Sequence, residues 1–270
     1  MPPSGAEAIE LKACCAAVYQ SDWARLLLGE SFHPGGLRLT ERLGHMLDFH
    51  AGTRVLDVAA GKGTSAIFLA QRFGCEVLGI DYGGLSMREA TRAAEIAGVA
   101  HLVRFEQGDA ERLAVAGDSF DAVICECAFC TFPDKRAAAD EFARVLRPGG
   151  HVGLSDLTRA GEVPEALHGL LAWVACIADA RPLDEYQRYL TDAGLTVDLV
   201  TSHDEALREL AHEIKGKLLA AELLMRLKTI DVPAVDFDQA KSMASAAADA
   251  VQRGLFGYVL MRAASAHQDL

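Results

Sequence analysis

The sequence has little positive charge. Lys and Arg together number 26 against 38 Asp and Glu, a formal net charge of −12, and no Lys/Arg cluster stands out. That excludes nucleic acid and anionic membrane surfaces as expected partners, because neutralising phosphates needs a basic footprint. Long apolar runs are missing as well: none reaches the roughly 20 residues that span a bilayer. The opening "MPPSGAEAIELKACCAAVY" lacks a basic segment followed by an apolar one, so no signal peptide is read there and a cytoplasmic location is expected. In that compartment seven cysteines, an odd number, are expected as thiols rather than as a disulfide framework. There is no internal repeat, no low-complexity tract and no Pro/Gly/Ser linker. With 51% apolar residues the chain reads as a single domain over 1–270, with a sizeable core.

What is present is an alternation of strand and helix signals. "TRVLDVAA", "CEVLGIDYG", "VRFEQGDA", "FDAVICECA" and "HVGLSDL" read as five strands. Between them, "GKGTSAIFLAQRFG" and "LSMREATRAAEIAG" read as helices closed by Gly74 and Gly98. "DKRAAADEFARVLRPGG" reads as an amphipathic helix stopped by Pro148. Strands separated by helices of this length imply parallel βαβ units. "LTVDLVTSHD" and "LFGYVLMRAAS" supply a sixth and a seventh strand. The expected fold is α/β, a doubly wound, mostly parallel seven-stranded sheet with helical cap insertions. Residues 1–50 form a helical lid, 51–157 the core, and 158–270 a helical cap plus the last strands; 160–192 is expected to be helical.

Ligands of such sheets bind outside the carboxyl ends of the strands. "VLDVAAGKGT" puts Asp57, Gly61 and Gly63 at the first of these, where glycines let backbone approach a ligand at a helix N-terminus. Ala66 stands at the third glycine position, so the loop alone also suits a nicotinamide cofactor. Asp81 ends the second strand, where an acid can bind two ribose hydroxyls, or can cap a helix. Asp109, in "QGDAERL", follows the third, where it can meet an adenine amino group.

These spaced motifs, with "FDAVICECAFCTFPDKRAAADEFARVLRPGGHVGLSD" after them, resemble the class I S-adenosylmethionine-dependent methyltransferases over about residues 50–157. The resemblance implies the fold above, S-adenosyl-L-methionine as cofactor, a small-molecule or metalloid acceptor, and no resident metal. It implies a cofactor site of Asp57, Ala59, Gly61, Gly63, Asp81, Tyr82, Asp109, Ala110 and Glu126. It leaves the oligomeric state open.

"CECAFCTFPDK" adds a second resemblance. Strand alternation puts Cys125 and Cys127 on one face, with Cys127 and Cys130 at or beyond the carboxyl end, near the chemistry. Cys127 with "FPDK", and Cys176 in "WVACIADARPLDEYQRYLTDAGL", are similar to the arsenite methyltransferases. That likeness implies Cys127, Cys176 and Cys130 as the thiols at the reaction, with Cys14 and Cys15 reaching the substrate in place of a cysteine missing between residues 16 and 54. Trivalent arsenic is soft, bonds thiolates, and keeps a lone pair to attack a methyl group without a general base. Ordinary packing is the alternative for each of these cysteines. A CxxC without a second pair is weak as a zinc or redox motif. Tyr19 and His33 are further candidates at the substrate, His33 as a base or as a turn-capping residue. Two other functions stay open: methyl transfer to oxygen, nitrogen or carbon of an organic metabolite, and cofactor or metalloid binding without turnover.

Overall fold

The apolar runs assemble into one sheet because both of its faces are covered. Val55, Leu56 and Val58 of β1 (Arg54–Val58) are wholly buried, as are Val123, Ile124 and Cys125 of β4 (Phe120–Glu126). A continuous apolar run without alternation is what a central parallel strand requires. A computed structural model describes residues 5–20, 33–168, 177, 179–226 and 237–266.

Among the described residues two helices precede the sheet, α1 (Gly5–Tyr19) and α2 (Gly36–Met46). The βαβ run follows: β1, α3 (Thr64–Phe73), β2 (Glu76–Asp81), α4 (Gly84–Ile96), β3 (Val103–Gln107), β4, α5 (Lys135–Val145) and β5 (Leu146–Arg159). Then come α6 (Leu183–Asp192), β6 (Thr196–Ser202), α7 (Asp204–Arg226), α8 (Phe237–Gln252) and β7 (Phe256–Ala264). The strand order is β3-β2-β1-β4-β5-β7-β6. All pairings are parallel except those of β7, which runs antiparallel to β5 and β6. From β1 the chain winds outward through β2 and β3, then returns to β4 on the other side. That reversal opens a crevice at the carboxyl ends of β1 and β4.

Local chemistry sets the ends of the helices flanking this crevice. The α3 helix starts after Gly63 (φ 76°) and ends on Gly74 (φ 71°), whose N–H bonds the Ala70 carbonyl. A Cβ on Gly63 would lie 2.3 Å from the Phe105 ring, so only glycine lets α3 sit this close to β3. At α5 the Asp134 carboxylate caps the helix by accepting from the Ala137 N–H (3.0 Å). Its buried face, Ala138, Ala139, Phe142 and Val145, packs on the sheet.

One expectation needs correction. The helix before Pro148 ends at Val145, not at the proline, and β5 begins at Leu146 and runs through the Pro-Gly-Gly segment. The residue before a proline is pushed out of helical geometry, and here the break falls earlier still, at Leu146 (ψ 139°). Of the stretch 160–192, expected as helical, the described residues include a 3-10 turn at Glu165–Leu167 and the helix α6; residues 169–176 and 178 lie outside the described residues. Among the described residues no helix is long and apolar enough to cross a membrane.

Candidate active site

The loop after β1 is clipped onto β2. Ala60 N–H donates to the Ile80 carbonyl (3.0 Å), and Gly61 N–H donates to Asp81 Oδ2 (2.9 Å). Asp81 Oδ1 accepts from the Gly83 N–H (2.7 Å). One carboxylate thus ties together two loops and keeps the remaining lone pairs of both oxygens for a ligand. Burial raises the Asp81 pKa, and the two backbone hydrogen bonds oppose that shift. Ala59 (φ 62°) and Gly61 (φ 54°) are both left-handed, which folds the loop back over the strand end.

Above these strand ends lies a cavity of about 130 Å³. Its floor and walls include Ala59, Gly61, Asp81, Tyr82, Asp109, Ala110, Glu126 and Cys127. Its roof is α1, which lays Lys12, Cys15, Ala16 and Tyr19 over it. That spacing of three, one and three residues is one face of a helix. Lys12 Nζ bonds Asp109 (2.8 Å to Oδ2, 3.0 Å to Oδ1) and also pairs closely with Glu111. Burial acts to lower the Lys12 pKa, but the two acids outweigh it and the net shift is upward. At the other end of α1, Gln20 presses on Gly83, where an added Cβ would come within 2.6 Å of Gln20 Nε2.

Negative charge gathers at the β1–β4 end. The Glu126 side chain is buried and accepts from the Thr40 hydroxyl (3.1 Å to each oxygen) and from Ser65 Oγ (2.6 Å to Oε2). Asp57 is buried behind the loop, and its Oδ2 has no hydrogen-bond partner among the described residues. Burial first, then Glu126 and Asp81, push its pKa well above the ordinary carboxylate value.

A second space, about 100 Å³, adjoins the first. Leu157, Ile177, Leu207, Leu210, Ala211, Ile214, Ala244, Ala247, Val251 and Phe256 line it with Pro34. Tyr19 and Cys127 belong to both linings and mark where the cavities meet.

The expected residues therefore divide. Ala59, Gly61, Asp81, Tyr82, Asp109, Ala110, Glu126, Cys15, Tyr19 and Cys127 come together around the first cavity. Asp57 and Gly63 lie behind its wall, one under the loop and one against Phe105. Cys14 lines neither space. Cys130, expected at the reaction, is wholly buried in the core instead. The strand stops at Glu126, Cys127 turns left-handed (φ 53°), and the 3-10 turn Phe129–Thr131 drives Cys130 inward, its N–H on Asp156 Oδ2 (2.9 Å). His33 is buried too, with Nδ1 on the Pro34 carbonyl (3.2 Å) and Nε2 at the Thr40 hydroxyl (3.3 Å), and it lines neither space. Cys176 lies outside the described residues. The "FPDK" segment has structural work: Asp134 caps α5, and the buried Lys135 pairs with Asp179.

Lys12, Thr40 and Ser65 escaped sequence reasoning. Lys12 had a usable signal in its helical spacing to Tyr19; Thr40 and Ser65 had none.

The polar groups suit S-adenosylmethionine. An acid with open lone pairs stands where two hydroxyls need an acceptor, and an unpartnered buried carboxylate oxygen lies beside Glu126, at the end a cation would neutralise. The comparisons agree. The methyltransferase domain family matches residues 55–150. The chain is 36% identical over 168 residues to the 27-O-demethylrifamycin SV methyltransferase of Amycolatopsis mediterranei, covering 58% of this chain and 59% of that one. It is 30% identical over 158 residues to the arsenite methyltransferase of Halobacterium salinarum, covering 57% and 40%. It thus spans less than two thirds of the length of these curated relatives. An uncharacterised protein of Mycobacterium bovis is 30% identical over 240 residues, 77% of this chain and 85% of that one. In fold, the chain superposes with a TM-score of 0.80 on phosphoethanolamine N-methyltransferase 2 of Haemonchus contortus, at 17% identity, over 95% of this chain and 61% of that one. Residues 55–150 thus form a methyltransferase domain, in a chain with the Rossmann-like fold of S-adenosylmethionine-dependent methyltransferases.

Proposed function

We propose that this protein transfers the methyl group of S-adenosylmethionine to a small, predominantly apolar organic acceptor. The carrying observation is the second space, whose only polar side chains among the described residues are Tyr19 and Cys127, at its junction with the cofactor cavity. An acceptor charged along its length would lose hydration there without gaining partners. An apolar body with one nucleophilic atom at the junction loses little. The 36% identity to a methyltransferase named for a demethylrifamycin supports an organic acceptor.

Bound S-adenosylmethionine supplies an electrophilic methyl group on a sulfonium sulfur. The chain's residues hold and align. Asp81 takes the ribose hydroxyls, and Asp109 with Ala110 and Tyr82 frames the adenine. Glu126 faces the cationic amino-acid end. The inner face of α1 excludes water from the reacting atoms, and Tyr19 and Cys127 fix where donor and acceptor meet. Alignment of this kind is the main protein contribution to an in-line transfer.

A second reading has its own observation: the thiols of Cys15 and Cys127 line the same cavity, which suits a thiophilic acceptor such as trivalent arsenic. One assay separates the two. Methyl-labelled S-adenosylmethionine is offered with hydroxylated polyketide and terpenoid acceptors, and separately with arsenite and a thiol, to wild type, Ala247→Trp and Cys127→Ser. The expected result is label in an organic product, lost in Ala247→Trp while S-adenosylhomocysteine still binds. Label in arsenic alone, lost in Cys127→Ser, establishes the second reading.

A further inference from the structure

The Glu126 carboxylate faces the cofactor cavity, yet everything that holds it comes from behind. Thr40, on α2, is wholly buried and shares its single proton between both Glu126 oxygens at 3.1 Å. Ser65, on α3, donates to Oε2 at 2.6 Å. His33 completes the set, with Nε2 3.3 Å from the Thr40 oxygen and 3.7 Å from Glu126 Oε2. None of these three lines the cavity. A carboxylate in a buried wall would otherwise turn toward water or be neutralised. Two hydroxyl donors at fixed distances prevent both, and charge-assisted hydrogen bonds of this kind are short and directional.

We infer that Thr40 is a positioning residue of the cofactor site: with Ser65 and His33 it fixes Glu126 against the α-ammonium group at the amino-acid end of the cofactor. This rests on the reading that the cavity under α1 holds S-adenosylmethionine. Thr40 touches neither cofactor nor acceptor; it acts through Glu126.

Calorimetric titration tests it with two ligands. S-adenosylhomocysteine carries the amino-acid end, whereas 5′-methylthioadenosine keeps adenine, ribose and sulfur but lacks that end. For Thr40→Val and Glu126→Gln, S-adenosylhomocysteine affinity should fall about tenfold or more, the usual effect of losing a charged hydrogen bond. Methylthioadenosine affinity should change less than about twofold in both, which also reports an intact fold, and Thr40→Ser should restore homocysteine-end recognition to within about threefold. Unchanged S-adenosylhomocysteine affinity in Thr40→Val, or parallel loss of both ligands, overturns the inference. A wild-type protein that binds neither ligand overturns the cofactor reading itself, a distinct result.

Discussion

Replacing Lys12 by Ala should speed release of S-adenosylhomocysteine and remove most of its salt dependence. Lys12 is the charged link between α1 and the rim of the cavity, bonded to Asp109 at 2.8 and 3.0 Å and to Glu111. The Lys12 and Glu111 side chains are 14% and 13% exposed, but Asp109 is 34% exposed. The gross attraction at this distance, about 5 kcal/mol per pair at an effective dielectric near 20, is therefore largely offset by desolvation and screening. A net latch of about 1–2 kcal/mol is the reasonable scale. That corresponds to a shift of about 5–30-fold in the closed-to-open equilibrium of α1. The pKa shift fixes the pH window. Lys12 is raised above its unfolded value, so its contribution is complete below about 10.4 and is lost as pH rises through the folded value. Between pH 6 and 9 the latch should hold constant strength. The assay is displacement of bound S-adenosylhomocysteine by excess S-adenosylmethionine in a stopped-flow instrument, at low and high NaCl. Wild type should release faster as salt rises; Lys12→Ala should start about tenfold faster and respond weakly; Lys12→Arg should resemble wild type. Equal release rates and equal salt slopes for wild type and Lys12→Ala would refute the latch.

Gly63→Ala should lower thermal stability by about 2–4 kcal/mol, because its Cβ would meet the Phe105 ring at 2.3 Å in left-handed backbone. Gly52→Ala, at φ 90° with nothing within 4 Å, should cost only about 1–2 kcal/mol, and equal losses in the two melting curves contradict the packing argument. Asp57→Asn should stabilise the ligand-free protein at pH 7 by about 1–2 kcal/mol. Asp57 is raised in the folded state by burial, Glu126 and Asp81. The folded protein therefore binds more protons above the unfolded pKa, and stability falls as pH rises through that window. Denaturant melts from pH 4 to 8 should show that slope in wild type and less of it in Asp57→Asn; identical slopes remove Asp57 as the cause.

The sheet was legible because its central strands are buried on both faces and so are written as unbroken apolar runs. Asp81 closes the largely buried β2 and Asp109 follows the more exposed β3, and strand ends are where this fold meets its ligand. Cys130 was expected at the reaction because it follows the carboxyl end of β4, but there the backbone turns left-handed and then into a 3-10 turn that takes it into the core. In "FPDK" the polar chemistry is local, a helix cap at Asp134 and a buried ion pair at Lys135, and only Phe132 reaches the cavity lining. Thr40 and Glu126 stand 86 residues apart, and no local pattern links a threonine on α2 to a carboxylate at the end of β4. The apolar space draws Leu157, Leu207, Ala247 and Phe256 from four elements, each an ordinary core residue in its own segment.

The central claim is that two spaces, one for the cofactor and one apolar, meet at Tyr19 and Cys127. A crystal structure with S-adenosylhomocysteine tests it most directly. The account predicts ribose hydroxyls on Asp81, the amino-acid end at Glu126, and the thioether sulfur facing Cys127 and the mouth of the apolar space. A sulfur turned to solvent, or away from that mouth, would contradict it.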